Sequence, residues 1–295
     1  MMKRVDFMQK LKENRLASFA IIVIIYILAI IGGIATYKLL PFGWWLNLLL
    51  ADIAATIITF IFSLILKNSS VYDAYWSVQP IVILICYSIG KNLGLLQILL
   101  LVAVCFWGIR LTANWAYTFT DFTYQDWRYV MLKEKTGIFY PVINFIGIHL
   151  VPTLVVYACT IPAVYAIVNN LTANIGSILF ILLSIFAASL QGIADIQMHK
   201  YRKNRTTPFN RNGLWKNSRH PNYLGEILMW WGIGFAVVVT DFNLWWLLLG
   251  ALLNTLLFSF VSIPMAEKRQ SRKEGFLEYK KETRFLLPVK KFIAK

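Results

Sequence analysis

Long apolar runs recur along the chain, separated by short polar stretches. A helix that crosses the hydrocarbon core of a bilayer needs about 20 mostly apolar residues. Eight runs are candidates for such helices: Ala17–Tyr37, Trp44–Leu66, Trp76–Ile89, Leu93–Ile109, Phe139–Val168, Asn174–Ala194, Asn222–Val239 and Asn243–Met265. The third is short, and the fifth is long and holds three prolines, so we expect a kink or an interfacial stretch there. The pattern predicts an all-α, polytopic integral membrane protein with about eight transmembrane helices, within a range of roughly seven to ten.

Composition agrees with this fold class. Hydrophobic residues make up 58% of the 295 residues, charged residues only 15%, and the mean hydropathy is +0.61. A soluble domain of this size could not bury so much apolar surface, and a disordered chain would be far less hydrophobic. The formal net charge is nevertheless +15. The charge of a membrane protein with this composition must therefore lie in its loops.

The distribution of Lys and Arg predicts the orientation. With eight spans, 27 of the 29 cations fall on the side of the N-terminus, and only Lys38 and Lys91 fall on the other. Positively charged loops stay in the cytoplasm, so both termini are expected to be cytoplasmic. The first apolar run is too long for a signal peptide and is interpreted as a retained helix. Compact loops favour a bacterial inner membrane, whose anionic lipids suit the basic face.

Ionisable residues near the membrane are the candidates for chemistry, because they are costly there. Asp195 and His199 close the sixth run, and a basic loop leads from them to Pro221, which favours the start of a helix. Asn222 and Glu226 then share one face of that helix. The free N–H groups of a helix N-terminus bind anions, and Arg219 and His220 precede it directly. The loop is therefore a candidate site for a phosphate group.

The string GLWKNSRHPNYLGE resembles a signature of the membrane sterol reductases and of the steroid 5α-reductase C-terminal domain. Upstream, ADIQMHKYRKN resembles a second reductase segment, and AEKRQSRKEGFLEYKKETRFLLP resembles the tail of those enzymes. The resemblance covers about the last 105 residues, Leu190–Lys295. It implies an N-terminal transmembrane bundle on the substrate side, residues 1–189, and a reductase-like C-terminal domain, residues 190–295, with a cytoplasmic cofactor-binding loop and tail.

The resemblance also implies that this domain binds NADP(H) at the cytoplasmic face. By position, the implied cofactor contacts are Asp195, Gln197, Arg202, Trp215, Arg219, His220, Asn222, Tyr223, Glu226, Lys268 and Arg272. Two positions depart from the sterol reductases: Asp195 replaces Asn, and Met198 replaces a Lys of the phosphate site. No GxGxxG motif follows a predicted strand, so a Rossmann domain is not expected. No metal site is expected either.

Together these features predict an NADPH-dependent oxidoreductase acting on a carbon–carbon double bond in a lipophilic substrate, which is steroid-, sterol- or isoprenoid-like. In the steroid reductases a Glu and a Tyr of the N-terminal half polarise the substrate. The best candidate for that pair here is Asp73 with Tyr75, in the stretch VYDAYWSV. The expected partners are a lipophilic small molecule from the bilayer and membrane lipids, and no nucleic acid.

Two other functions stay open. Isoprenylcysteine and phospholipid methyltransferases carry a similar RHPxYxG element and a tail like EYKKETRFLLP, and they bind S-adenosylmethionine. A non-catalytic membrane protein that binds lipid through the basic loop is the third reading. Glu226 directly after Gly225, together with the ADIQMHKYR segment, favours the reductase.

Overall fold

The computed structural model describes residues 11–291, and 79% of these residues are helical. The N-terminal cations Lys3, Arg4 and Lys10 lie outside this range. The α-helices are α1 (Arg15–Leu39), α2 (Trp44–Leu66), α3 (Tyr75–Ser88), α4 (Leu95–Thr118), α5 (Trp127–Thr136), α6 (Tyr140–Ile143), α7 (Val151–Val168), α8 (Ile175–Lys203), α9 (Pro221–Val238), α10 (Leu249–Leu257), α11 (Ile263–Gln270) and α12 (Phe276–Glu282). The described residues form no strand.

The all-α membrane fold is confirmed. Six helical stretches of the described chain are long and apolar enough to cross a bilayer: Arg15–Leu39, Trp44–Leu66, Leu95–Thr118, Trp127–Val168, Ile175–Lys203 and Phe242–Gln270. Isoleucines of α1 such as Ile24, Ile27 and Ile31 are exposed, as expected of side chains that contact lipid. The protein is therefore an integral membrane protein built from helices.

Two of the eight predicted runs, the third and the seventh, are not among these six stretches. Helix α3 has only 14 residues, which at 1.5 Å per residue is about 21 Å, shorter than the hydrocarbon core of about 30 Å. Helix α9 has 18 residues, most of them buried within the protein. The long fifth run begins at Trp127 and contains a π-helical segment, Asn144–Leu150, ahead of α7. A π-helical segment is a usual cause of irregularity in a long helix.

The chain forms two compact units. One combines Met1–Ile83 with Leu111–Tyr157, and the other combines Leu84–Arg110 with Ala158–Lys295. The boundary expected between residues 189 and 190 falls inside α8, which runs through it without interruption.

In the first unit α1 packs closely on α2. A Cβ atom at Gly33 would stand 3.3 Å from the carbonyl oxygen of Ala51, so the two backbones approach one another at small residues. Asn47 closes the connection between the helices, because its side chain donates to the oxygen of Leu40 and accepts from the nitrogen of Phe42. These contacts fix the N-terminal helical pair.

In the second unit α8 and α9 approach one another through two glycines of α9. A Cβ atom at Gly225 would lie 2.6 Å from the carbonyl oxygen of Ala187, and one at Gly232 would lie 2.8 Å from that of Phe180. Ser184 adds a hydrogen bond of 3.0 Å from its hydroxyl to the oxygen of Met229. Small residues that allow backbones to come close are the usual basis of helix packing in membranes.

Replacing Gly225 by Ala should separate α8 from α9. We expect a loss of about 1–3 kcal/mol in the free energy of unfolding, because the added methyl group meets backbone atoms that cannot rotate away. The measurement is unfolding of the purified protein in detergent. Gly147→Ala is the control, since a Cβ atom there meets nothing within 4 Å. Equal stability of the Gly225→Ala variant and the wild type would contradict the close approach.

Candidate functional site

Three helices of the second unit, α4, α8 and α9, each contribute two polar residues one helical turn apart. The first set, called the Glu226 layer, consists of Trp107, Gln191 and Glu226. The second set, called the Arg110 layer, consists of Arg110, Asp195 and Asn222. The spacings i, i+3 on α4 and i, i+4 on α8 and α9 place both members of each helix on one face.

The Glu226 layer is closed. Glu226 is 1% exposed, and its Oε2 accepts hydrogen bonds of 2.8 Å from the indole of Trp107 and the amide of Gln191. Its Oε1 accepts from the indole of Trp230 at 2.9 Å. A buried carboxylate needs such donors to offset its loss of hydration. Glu226 therefore joins three helices, and its oxygens already have partners.

The Arg110 layer has unused hydrogen-bonding groups. The Nη1 of Arg110 lies 2.9 Å from the carboxylate of Asp195, whereas its Nε and Nη2 are buried and have no partner among the described residues. The amide oxygen of Asn222, whose side chain also bonds Asp195, has no partner there either. Gly192 makes room for the arginine, since a Cβ atom at that position would be 3.0 Å from its Cδ. Two donors and one acceptor thus surround a single ion pair.

Arg219 and His220 of the RHPNY element hold the C-terminal tail. The Nε of Arg219 lies 2.6 Å from Glu267, and its Nη1 donates to the oxygen of Thr283 at 2.8 Å. Lys280 reaches the same carboxylate at 2.6 Å, and the ring of His220 lies 3.4 Å from it. Burial lowers the pKa of His220 below its usual value, although the hydrogen bond to Glu267 opposes that shift. This arrangement anchors the tail to the start of α9.

The loop before α9 is fixed by Trp215 and Gln197. The indole of Trp215 donates to the oxygen of Ala194 at 3.0 Å, and the side chain of Gln197 accepts from the nitrogen of Leu214 at 2.8 Å. Gly213 adopts a φ of +59° directly against Gln197, a position where a side chain would clash. Tyr223 stacks on His220, with ring centroids 5.3 Å apart. These predicted residues shape the loop around the end of α8.

The structure therefore brings Asp195 and Asn222 of the predicted cofactor set together, and the charge of Arg202 acts on Asp195. Glu226, Arg219 and His220 instead engage protein groups. Lys268 and Arg272 are exposed. Arg110 is not in the predicted set, because its partner Asp195 lies 85 residues further along the chain. A signal was present, since Arg110 is a lone cation at the end of an apolar run.

In the first unit Asp52 and Tyr75 form a buried pair. The hydroxyl of Tyr75 donates to Asp52 at 3.4 Å, and the amide of Gln79 donates to the other carboxylate oxygen. The role of Asp73 and Tyr75 in polarising the substrate stays a prediction, but the two side chains have different hydrogen-bond partners, since residues two apart at the start of a helix point in different directions. Asp52 comes from α2, so only the packing of α2 and α3 creates the pair.

Tyr72 and His149 lie beside this pair. The ring of Tyr72 is 5.4 Å from that of Tyr75 and 4.7 Å from that of His149, and its hydroxyl hydrogen-bonds Thr153 at 2.8 Å. The Nδ1 of His149 lies 3.0 Å from the oxygen of Asn144, and its Nε2 has no partner among the described residues. His149 belongs to the π-helical segment, and such segments are frequent at functional sites.

Asp73 has a different partner, the hydroxyl of Tyr129 at 2.5 Å. Burial raises the pKa of Asp73 from 3.8 to about 6, and the hydrogen bond from Tyr129 and the charge of Arg128 oppose that rise. Asp73 thus changes its charge close to neutral pH. Within residues 11–291 no three His, Cys, Asp or Glu side chains lie close enough to hold a metal ion.

The raised pKa of Asp73 predicts how the free energy of unfolding depends on pH. The folded protein holds this proton more tightly than the unfolded chain does, so the free energy of unfolding should fall as the pH rises from about 4 to about 6. The side chain of the Asp73→Asn variant cannot ionise, so its free energy of unfolding should fall by about 1–3 kcal/mol less over this pH range. Unfolding in detergent at several pH values measures it, with exposed Glu274→Gln as control. The same pH profile in Asp73→Asn and the wild type would count against the raised pKa of Asp73.

Comparison with known proteins gives a family without an assigned activity. Over 193 residues the chain is 26% identical to "Uncharacterized protein C594.04c" of Schizosaccharomyces pombe, and the match covers 56% of each protein. The comparison thus spans about half the length of that relative. No solved structure matches the chain. Residues 59–283 match the family described as "Protein of unknown function (DUF1295)". Because this match covers most of the sequence, the chain belongs to the DUF1295 family.

Proposed function

We propose that this protein is an integral-membrane, NADPH-dependent reductase of a carbon–carbon double bond in a lipophilic substrate. The observation that carries the proposal is the Arg110 layer, where two buried nitrogens of Arg110 and the amide oxygen of Asn222 lack partners among the described residues. An arginine with free donors suits phosphate or amide oxygens, and unpaired buried polar atoms are costly unless a ligand binds them. The resemblance of the surrounding motifs to the sterol reductases supports the same reading.

In this proposal each residue of the second unit has a limited task. Arg110 donates to an oxygen of the cofactor, Asn222 accepts from a donor of it, and Asp195 keeps the guanidinium in place. Arg202 adds positive charge at the end of α8. Glu226, Arg219 and His220 act as positioning residues, because their polar atoms hold α4, α8, α9 and the tail together. The cofactor, when bound, supplies the hydride.

Reduction of an activated double bond also requires a proton and a group that polarises the substrate. The Asp52–Tyr75 pair of the first unit replaces the pair expected from the sequence. Asp52 is buried, and its two oxygens accept from Tyr75 and Gln79. Tyr75 is the candidate to turn its single hydroxyl proton from Asp52 to an oxygen of the substrate, and Asp52 holds that hydroxyl before the substrate binds. The aromatic rings around the pair suit an apolar molecule.

The number of membrane segments and the side on which the termini lie are part of the same proposal. We infer eight membrane segments, with α3 and α9 added to the six long stretches, and with both termini in the cytoplasm. The support is the placement of 27 of the 29 Lys and Arg residues on one side under that count. A bacterial inner membrane would supply the lipophilic substrate and anionic lipids for the basic face.

Ligand-dependent stability tests the cofactor. Purified protein in detergent is heated with NADPH, NADH or S-adenosylmethionine, and NADPH should raise the unfolding temperature. Arg110→Lys keeps a charge beside Asp195 but loses the planar fork, so NADPH should bind about tenfold more weakly, a loss of about 1.4 kcal/mol. The control is Arg128→Lys, which changes an arginine with an exposed ion pair. Stabilisation by S-adenosylmethionine alone would replace the reductase by a methyltransferase.

Asp52→Asn separates binding from reaction. The variant keeps the size of the side chain, but its amide can neither ionise nor transfer a proton to the substrate. We expect unchanged stabilisation by NADPH and a loss of about 10²–10⁴-fold in the rate at which NADPH is consumed with a membrane lipid extract. Exposed Glu134→Gln in the same unit is the control. Wild-type turnover by Asp52→Asn would remove Asp52 from the reaction.

A further inference from the structure

Four buried hydroxyl groups form a continuous row in the first unit. The hydroxyls of Tyr72 and Thr153 are 2.8 Å apart, and those of Thr153 and Thr56 are 3.0 Å apart. Thr56 also hydrogen-bonds the hydroxyl of Tyr75, which in turn donates to Asp52. Each of the four hydroxyl residues is at most 6% exposed. They are called the hydroxyl chain, and the chain ends on the carboxylate that holds Tyr75.

Four separate segments supply the hydroxyl chain. Thr56 lies in α2, Tyr75 begins α3, and Thr153 lies in the first turn of α7. Tyr72 is the last residue of a short 3₁₀ helix, Ser69–Tyr72, directly before α3. Hydroxyls that bond across helices help to hold helices together within a membrane. The hydroxyl chain therefore contributes to packing, and the direction of its hydrogen bonds adds a second property.

The carboxylate at the end of the hydroxyl chain fixes the direction of every bond in it. A hydroxyl has a single hydrogen to donate, and an ionised carboxylate only accepts. Tyr75 gives its hydrogen to Asp52, so Thr56 must be the donor in its contact with Tyr75. For the same reason Thr153 donates to Thr56, and Tyr72 donates to Thr153. All four hydrogens therefore point along the chain toward Asp52.

This direction keeps the hydrogen of Tyr75 available for a substrate. In the proposed function Tyr75 turns that hydrogen from Asp52 to an oxygen of the substrate, and the nearby oxygen of Thr56 is a competing acceptor. While Thr153 donates to Thr56, the hydrogen of Thr56 points at Tyr75, so this contact already holds a hydrogen and cannot take a second. The bond from Thr56 also polarises the phenol, which makes Tyr75 a stronger donor.

We propose that Thr153 is a positioning residue for the reduction, because it acts through Thr56 to keep the hydroxyl of Tyr75 directed first at Asp52 and then at the substrate; the inference rests on the proposed function. Tyr75 donates to the substrate oxygen on which negative charge develops. Without the hydroxyl at position 153, Thr56 loses its donor, and Tyr75 can turn to the oxygen of Thr56 instead. A donor that spends time in that orientation is away from its productive geometry, which lowers the rate.

The test compares Thr153→Val, which removes the hydroxyl and keeps the shape, with Thr153→Ser, which keeps the hydroxyl. Full-length protein purified in detergent consumes NADPH at several amounts of a membrane lipid extract. Thr153→Val should lower the maximal rate about tenfold and change the half-saturating amount of extract less than about twofold, whereas Thr153→Ser should keep at least about half of the maximal rate. Thr118→Val is the matched control, because Thr118 is exposed and its hydroxyl bonds oxygens of its own helix.

A second variant tests the far end of the hydroxyl chain. Tyr72→Phe removes the hydrogen donated to Thr153, so that Thr56 can donate to Thr153 and the chain can reverse. We expect the maximal rate to fall about threefold or more, with the half-saturating amount of extract again nearly unchanged. The unfolding temperature without ligand checks that each variant folds, and this variant keeps the inference testable if Thr153→Val does not.

The outcomes distinguish the inference from the proposed function. Wild-type rates in Thr153→Val or in Tyr72→Phe would overturn the inference and leave the proposed function standing. An equal loss in Thr153→Ser and Thr153→Val would also overturn it, because the hydroxyl then fails to rescue a defect of packing. If the wild type consumes no NADPH with the extract, the proposed function fails and the inference fails with it.

Discussion

The close approach of α8 and α9 is the constraint on which the second unit depends. Gly225 and Gly232 allow the backbones to come nearer than any side chain would permit. That approach sets Gln191 beside Glu226 and Asp195 beside Asn222, and it leaves α4 to add Trp107 and Arg110 to the same two layers. The glycine of the RHPNYLGE motif is therefore a packing requirement. At the usual separation of packed helices, the polar side chains around Gly225 would not contact one another.

One acid fastens the tail of this unit. Arg219 and Lys280 carry positive charge beside Glu267, and the ring of His220 lies against the same carboxylate, so the charge of the two cations is compensated. Lys273 has a different environment, in which burial and the charges of Arg205, Arg269 and Arg202 lower its pKa. Net positive charge alone does not separate these cases, since both lie in a basic loop and tail.

In the first unit the polar groups come from three different helical segments. Asp52 lies in α2, Tyr75 starts α3, and His149 belongs to a π-helical segment before α7. Each is buried in an aromatic or apolar environment, where an unpaired polar atom is costly. Asp52 obtains donors from Tyr75 and Gln79, whereas the Nε2 of His149 lacks one among the described residues. The group is thus polar at its centre and apolar around it.

The class of the protein and most of its helices follow from the sequence alone. Apolar runs of sufficient length and a low content of charge leave only a helical membrane protein, and the run limits at Trp44 and Leu66 agree with the structure. Periodicity also placed Asp195 and Asn222 correctly on their helices. Which polar residues meet depends on how the helices pack. Arg110 finds Asp195 across 85 residues, Tyr75 finds Asp52 across 23, and the nearer acid Asp73 turns to Tyr129 instead. Hydropathy and spacing describe one helix at a time, whereas these pairs form between helices, so only the packing of the chain could select them.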